Sequence, residues 1–134
     1  LRSHRIAVVA TDLVDYGCPQ GAGSFDFLKI RNAPPDCRCI ITNPPYKDAT
    51  AFVRRALDLA PLVIMLLRLA FLESERRSDV LDGGRLRRVH VFSKRLPMMH
   101  RAGWTGPRAV SAIAFAWFVW CAEKGPTVID RIKF

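Results

Sequence analysis

No apolar run in the sequence is long enough to cross a bilayer. The longest uncharged stretch, residues 109–122, has 14 residues, against the roughly 20 that a spanning helix needs. No secretory leader is expected either, because Leu1-Arg2-Ser3-His4-Arg5 leads into a short strand-like segment with no visible cleavage pattern. The four cysteines contain no C-x-x-C pair, and His4, His90 and His100 are not spaced as their partners, so no metal site is expected. Cys37 and Cys39 would share one strand face as buried free thiols, which fits a reducing compartment. Repeats and low-complexity segments are absent. These absences exclude a membrane-spanning chain and a disulfide scaffold, and leave a cytoplasmic protein with no membrane partner as the expectation.

Acidic residues are missing from a long part of the chain. Between Gly83 and Ala122 there is no Asp or Glu, while Arg85, Arg87, Arg88, Lys94, Arg95, Arg101 and Arg108 all fall there. Residues 1–82 carry a net charge of +1 and residues 83–134 carry +8, of a total of +9. A one-sided positive field of this kind attracts polyanions, nucleic acid above all. A solvated basic surface is the plainer reading. The 134 residues, half of them hydrophobic, fit one domain able to bury a core.

Residues 5–11 form a short β-branched run that reads as a buried strand ending at Asp12. Residues 15–25 are rich in Gly and Pro and read as a loop. Phe25-Asp26-Phe27-Leu28 reads as a brief extended segment. Cys39-Ile40-Ile41-Thr42 reads as a second buried strand, stopped by Pro44 and Pro45, which offer no N–H to a ladder. Residues 47–60 place Ala49, Phe52, Val53, Ala56, Leu57 and Ala60 at helical spacing. A third strand is expected over 62–67, a short helix over about 70–80, and a strand over 88–93. Residues 112–120 read as a strand with residues 127–134 as its hairpin partner. Alternating apolar strands and helices predict an α/β domain with a mostly parallel sheet and an antiparallel C-terminal hairpin. Ligands of such sheets sit beyond the carboxyl ends of the strands, where Asp12 and Asn43 fall.

Asn43-Pro44-Pro45-Tyr46 is the specific signal. Asn/Asp/Ser, two prolines and an aromatic arise by chance in a chain of this length only roughly a few times in a thousand. The prolines fix a rigid turn at the strand end. The Asn43 amide oxygen and the Pro44 carbonyl can then accept hydrogen bonds from one amino or amide group. Tyr46 supplies a flat face for a planar partner.

On these residues the chain resembles the class I S-adenosylmethionine-dependent methyltransferases, and within them the phage and prophage-type DNA adenine-N6 enzymes. Asp12 is similar to the family's acid that binds the cofactor ribose, and Asp26-Phe27 to the segment that holds its adenine. Asn43, Pro44, Pro45 and Tyr46 match the catalytic tetrapeptide, with Asn43 also at the cofactor. The stretches at residues 65–73, 91–97 and 114–120 also look like these proteins. The resemblance implies a Rossmann-like seven-stranded sheet with an antiparallel last strand and S-adenosylmethionine as cofactor. It also implies direct methyl transfer to an exocyclic amine, most simply adenine N6 in DNA, in a bacterial or phage-infected cell. A duplex substrate would require base flipping. Lys94, Arg95, Arg101 and Arg108, in a basic loop with Trp104, are the candidates for nucleic-acid contact.

The family's glycine-rich loop should precede Asp12, yet the eleven residues there contain no Gly. No Met precedes Met65 either. The expectation is a methyltransferase domain over 1–134 that lacks its first strand, about 30–50 residues by the size of one βαβ unit. The same tetrapeptide serves enzymes that methylate guanine N2 in RNA or a protein glutamine, so DNA and RNA both stand as partners. A catalytically inactive nucleic-acid-binding remnant is the reading from another class. Arg68, after the third strand, is expected to pair with a helix. Phe115, Trp117, Phe118 and Trp120 are expected to be strand core, and His90 and His100 surface or core histidines.

Overall fold

The computed structural model describes residues 6–15, 17, 21–96, 105 and 112–133. Of the expected nucleic-acid contacts, Arg101 and Arg108, with Trp104 between them, lie outside the described residues, as does His100. The chain divides into two compact units, Leu1–Pro34 and Pro35–Phe134.

In the first unit, β1 (Ala10–Asp12) pairs in parallel with β2 (Gly21–Ser24). The expected buried strand over 5–11 is corrected here. Regular pairing begins only at Ala10, and Ile6 and Val9 are 50% and 61% exposed. Parallel strands are normally covered on both faces, and the described residues of this unit add only one 3-10 turn to the two short strands. β2 falls within the stretch expected to be a loop. Phe27–Lys29 is a 3-10 turn rather than extended, because the Asp26 side chain caps it by accepting from the Leu28 N–H at 3.1 Å.

The second unit is an α/β fold around a mixed five-stranded sheet that is not closed. Its strands are β3 (Cys39–Thr42), β4 (Leu62–Arg68), β5 (Leu86–Phe92), β6 (Phe115–Cys121) and β7 (Val128–Ile132). The spatial order is β3-β4-β6-β5-β7. β3 with β4 and β5 with β7 are parallel, while β6 runs antiparallel to both β4 and β5. The expected hairpin of the last two strands is therefore corrected. Both edges of β6 are taken by β4 and β5, so the chain crosses to the free edge of β5 and pairs there in parallel.

Helix α1 (Ala49–Leu59) buries Ala49, Val53 and Ala56, the expected stripe, and Pro61 follows its end. The segment expected to be one helix over 70–80 is two 3-10 turns, Leu69–Leu72 and Glu75–Arg77, running into the short helix α2 (Ser78–Leu81). β4 and β6 alternate between buried and half-buried residues. One face of the sheet thus forms the core, with Val63, Met65, Leu67, Val89, Phe118 and Trp120 at most 1% exposed. Fully burying side chains of this size stabilises by about 1.5–3 kcal/mol each, as an upper bound. Phe71 meets Phe118 and Trp120 edge-on, and the Trp120 indole N–H donates to the Val80 carbonyl at 2.7 Å. That bond fixes α2 on the core. No helix among the described residues is long and apolar enough to cross a membrane.

Candidate functional site

Asn43 follows β3 directly, where Pro44 ends the ladder. Pro44 is buried and Asn43 is exposed, so the turn is anchored by its first proline while the amide faces solvent. The Asn43 amide has no hydrogen-bond partner among the described residues. The Pro45 carbonyl accepts from the Asp48 N–H at 3.0 Å, which closes a turn leading into α1. Two prolines, one turn bond and a helix start hold the tetrapeptide rigid without any ligand.

Tyr46 is 39% exposed. Its ring lies 5.6 Å from that of Phe115, tilted by 43°. The Arg68 guanidinium carbon stands over the same ring, 4.7 Å from its centroid. The sheet brings these residues together: Arg68 ends β4, Phe115 begins β6, and the two are register partners. The Leu69 N–H donating to the Ala114 carbonyl at 2.8 Å closes the sheet beyond that pair. Arg68 is exposed and forms no ion pair with a described residue, in contrast to the helix partner expected for it. Phe115 belongs to this site edge, while Phe118 and Trp120 are core, and Trp117 is half-buried on the other face.

β5 runs parallel to β4, because both are antiparallel to β6. Lys94 and Arg95, just beyond β5, therefore emerge from the same edge of the sheet as Asn43 and Arg68. β5 lies three strand spacings from β3, about 14 Å. Both side chains are exposed, as is Lys133 beyond the parallel β7. The carboxyl edge of this unit thus carries a rigid amide-and-aromatic turn flanked by cations.

Asp12, Asp26 and Phe27 belong to the first unit. Asp12 ends β1, is exposed, and accepts from the Val14 N–H at 3.3 Å through Oδ1. Its carbonyl accepts from the Phe25 N–H at 2.7 Å, which draws the Asp26 segment beside the end of β1. Asp26 is bound to Lys29 at 3.0 Å, and that ammonium holds its carboxyl below the usual range, with the Leu28 N–H adding to the effect and slight burial opposing it. At the far end of β3, burial pushes the Cys39 thiol up, and neighbouring Cys37 adds to this. Cys37, Cys39 and Cys121 are free and half-buried. Among the described residues no three His, Cys, Asp or Glu cluster as metal ligands.

Sequence reasoning singled out the tetrapeptide but not Arg68, which the structure places over Tyr46. Its position after an apolar strand was a signal, yet its neighbours Tyr46 and Phe115 are supplied by strand register, which the sequence does not state. No protein-family model, curated protein or solved structure matches the chain.

Proposed function

We propose that the chain is an S-adenosylmethionine-dependent methyltransferase acting on an exocyclic amine, with adenine N6 in DNA as the substrate. The observation that carries this reading is the rigid Asn43-Pro44-Pro45-Tyr46 turn at the carboxyl end of β3, with a free amide and an exposed ring. The sheet topology supports the finer fold assignment, a Rossmann-like methyltransferase sheet. In the doubly wound order 3-2-1-4-5-6, the first strand separates a parallel pair from the strands that follow. Parallel pairs of the kind that order contains occur within each unit, β1 with β2 and β3 with β4. One reversed strand, β6, lies among parallel neighbours as the resemblance implies, but it is the penultimate strand and the last, β7, is parallel to β5.

The residues present fit the cofactor in part of its length. Asp12 is an exposed carboxylate at the end of a parallel strand, with Oδ2 available for ribose hydroxyls. Asp26 retains acceptor capacity beyond Lys29 and the Leu28 N–H, and Phe27 adjoins it. When bound, the cofactor supplies an electrophilic methyl group.

The chain's own residues act on the amine. The Asn43 oxygen and the Pro44 carbonyl accept its two N–H bonds, which turns the nitrogen lone pair outward for attack. As the nitrogen gains positive charge, both acceptors bind it more tightly, so their stabilisation grows toward the transition state. Tyr46 stacks on the base, worth about 1–3 kcal/mol per base. Lys94 and Arg95 hold phosphates.

Labelled methyl transfer to unmethylated DNA, to RNA and to a glutamine peptide, followed by digestion of the product, tests the reading. The expected product is N6-methyladenine. Label in guanine N2 or in glutamine would move the substrate assignment. Binding of DNA with no label in any acceptor would favour the inactive nucleic-acid-binding protein.

A further inference from the structure

We propose that Arg68 is a phosphate-holding residue of the substrate site, gripping the nucleic-acid backbone beside the base that stacks on Tyr46. The inference rests on the reading of the Asn43–Tyr46 turn as the site of a nucleic-acid base, and adds a residue to it.

Three observations meet at Arg68. Its guanidinium lies over the Tyr46 ring, 4.7 Å from the centroid, so a cation is already in place beside the ring whose remaining exposed surface is offered to the base. It is exposed, and among the described residues neither a carboxylate nor a hydrogen-bond acceptor is recorded for its side chain. The attraction of a cation to a ring consumes none of the guanidinium's five N–H donors, which stay available for a bidentate anion.

Placement on the sheet makes the anion a backbone phosphate. Arg68 ends β4, the parallel neighbour of β3 at one strand spacing, about 4.8 Å, and lies three residues past Met65, the register partner of the Thr42 that precedes Asn43. A nucleotide whose base lies on Tyr46 brings its own phosphates to that flank. Lys94 and Arg95 lie farther along the same edge, where the next phosphates of a strand would run. Arg54, by contrast, is also exposed but is spent on Asp79, with bonds of 2.6 and 3.0 Å. The contrast separates a structural arginine from one held ready.

The test is the salt dependence of binding to a fluorescent single-stranded, adenine-containing oligonucleotide, with the full chain and its variants. Each phosphate contact on a single strand adds about 0.7 to the slope of log K against log salt. Arg68→Ala is expected to lower the slope by about that amount, and Arg68→Lys to keep it. Tyr46→Ala is expected to weaken binding with the slope unchanged. An unchanged slope in Arg68→Ala overturns the phosphate role while leaving the methyltransferase reading standing. Normal slopes with the expected loss, but no methyl transfer by the wild type, uphold Arg68 and overturn the activity. Failure of the wild-type chain to bind the oligonucleotide overturns both.

Discussion

Asp12 and Asp26 are carboxylates of the same unit in unlike surroundings, and the difference sets what each can bind. Asp12 uses one oxygen locally, for the Val14 N–H. Asp26 has one oxygen on the Leu28 N–H and the other on Lys29. A ribose diol can therefore approach Asp12 without displacing anything, whereas a ligand at Asp26 shares a carboxylate already held by a cation. Hydrogen bonds to a charged group are worth about 1.5–3 kcal/mol. Calorimetric titration with S-adenosylhomocysteine should accordingly show Asp12→Ala about 10-fold or more weaker than wild type, and Asp26→Ala less affected. Equal affinity of Asp12→Ala and wild type would remove Asp12 from the proposed cofactor site. At this scale the sequence was legible wherever a residue dictates its own backbone. Pro44 and Pro45 announce a rigid stop wherever they occur after a strand. Arg68 was not legible, since its place over Tyr46 comes from pairing with Phe115, 47 positions on.

Elements were read best where one periodicity ruled. The bounds of Cys39–Thr42 and the buried stripe of α1 follow from β-branched residues and from apolar residues at helical spacing, but β3 is not the buried strand expected, since its residues are half-buried and Ile41 is 44% exposed. β7 was misread because neighbours in sequence are usually neighbours in a sheet, and the two occupied edges of β6 are a non-local fact. The 70–80 segment was misread because its anchors are tertiary. Phe71 packs on Phe118 and Trp120, and Arg77 donates to the Phe71 carbonyl at 2.9 Å. One tie between elements titrates. Arg54 of α1 binds Asp79 of α2 and holds its carboxyl below the usual range, through a hydrogen bond first and charge second. A depressed carboxyl contributes stability above its unfolded pKa, near 4, and loses it as pH falls through the folded value. Asp79→Asn should thus lower the urea midpoint at neutral pH, and the difference from wild type should vanish in acid. Because both partners are half-exposed, high salt should shrink it too. A difference that persists in acid would assign the loss to packing instead.

For the molecule as a whole, charge and topology point to one edge. Residues 83–134 hold +8 of the net +9, and three of their cations, Lys94, Arg95 and Lys133, stand at the carboxyl edge of the five-stranded sheet that also carries Arg68 and the Asn43–Tyr46 turn. The charge excess was visible in the sequence, whereas the sheet edge at which Lys94, Arg95 and Lys133 stand needed the strand order. The proposed function separates two tasks: cations would hold the strand, and Asn43 with Pro44 would hold the amine. The direct test compares wild type with Asn43→Ala for two quantities, labelled methyl transfer to adenine in DNA and DNA affinity at one salt concentration. Removing one preorganised hydrogen-bonding group typically costs about 10²–10³ in rate. The expected result is a loss of transfer of that order in Asn43→Ala, with DNA affinity retained. Equal transfer by the two proteins would contradict the account.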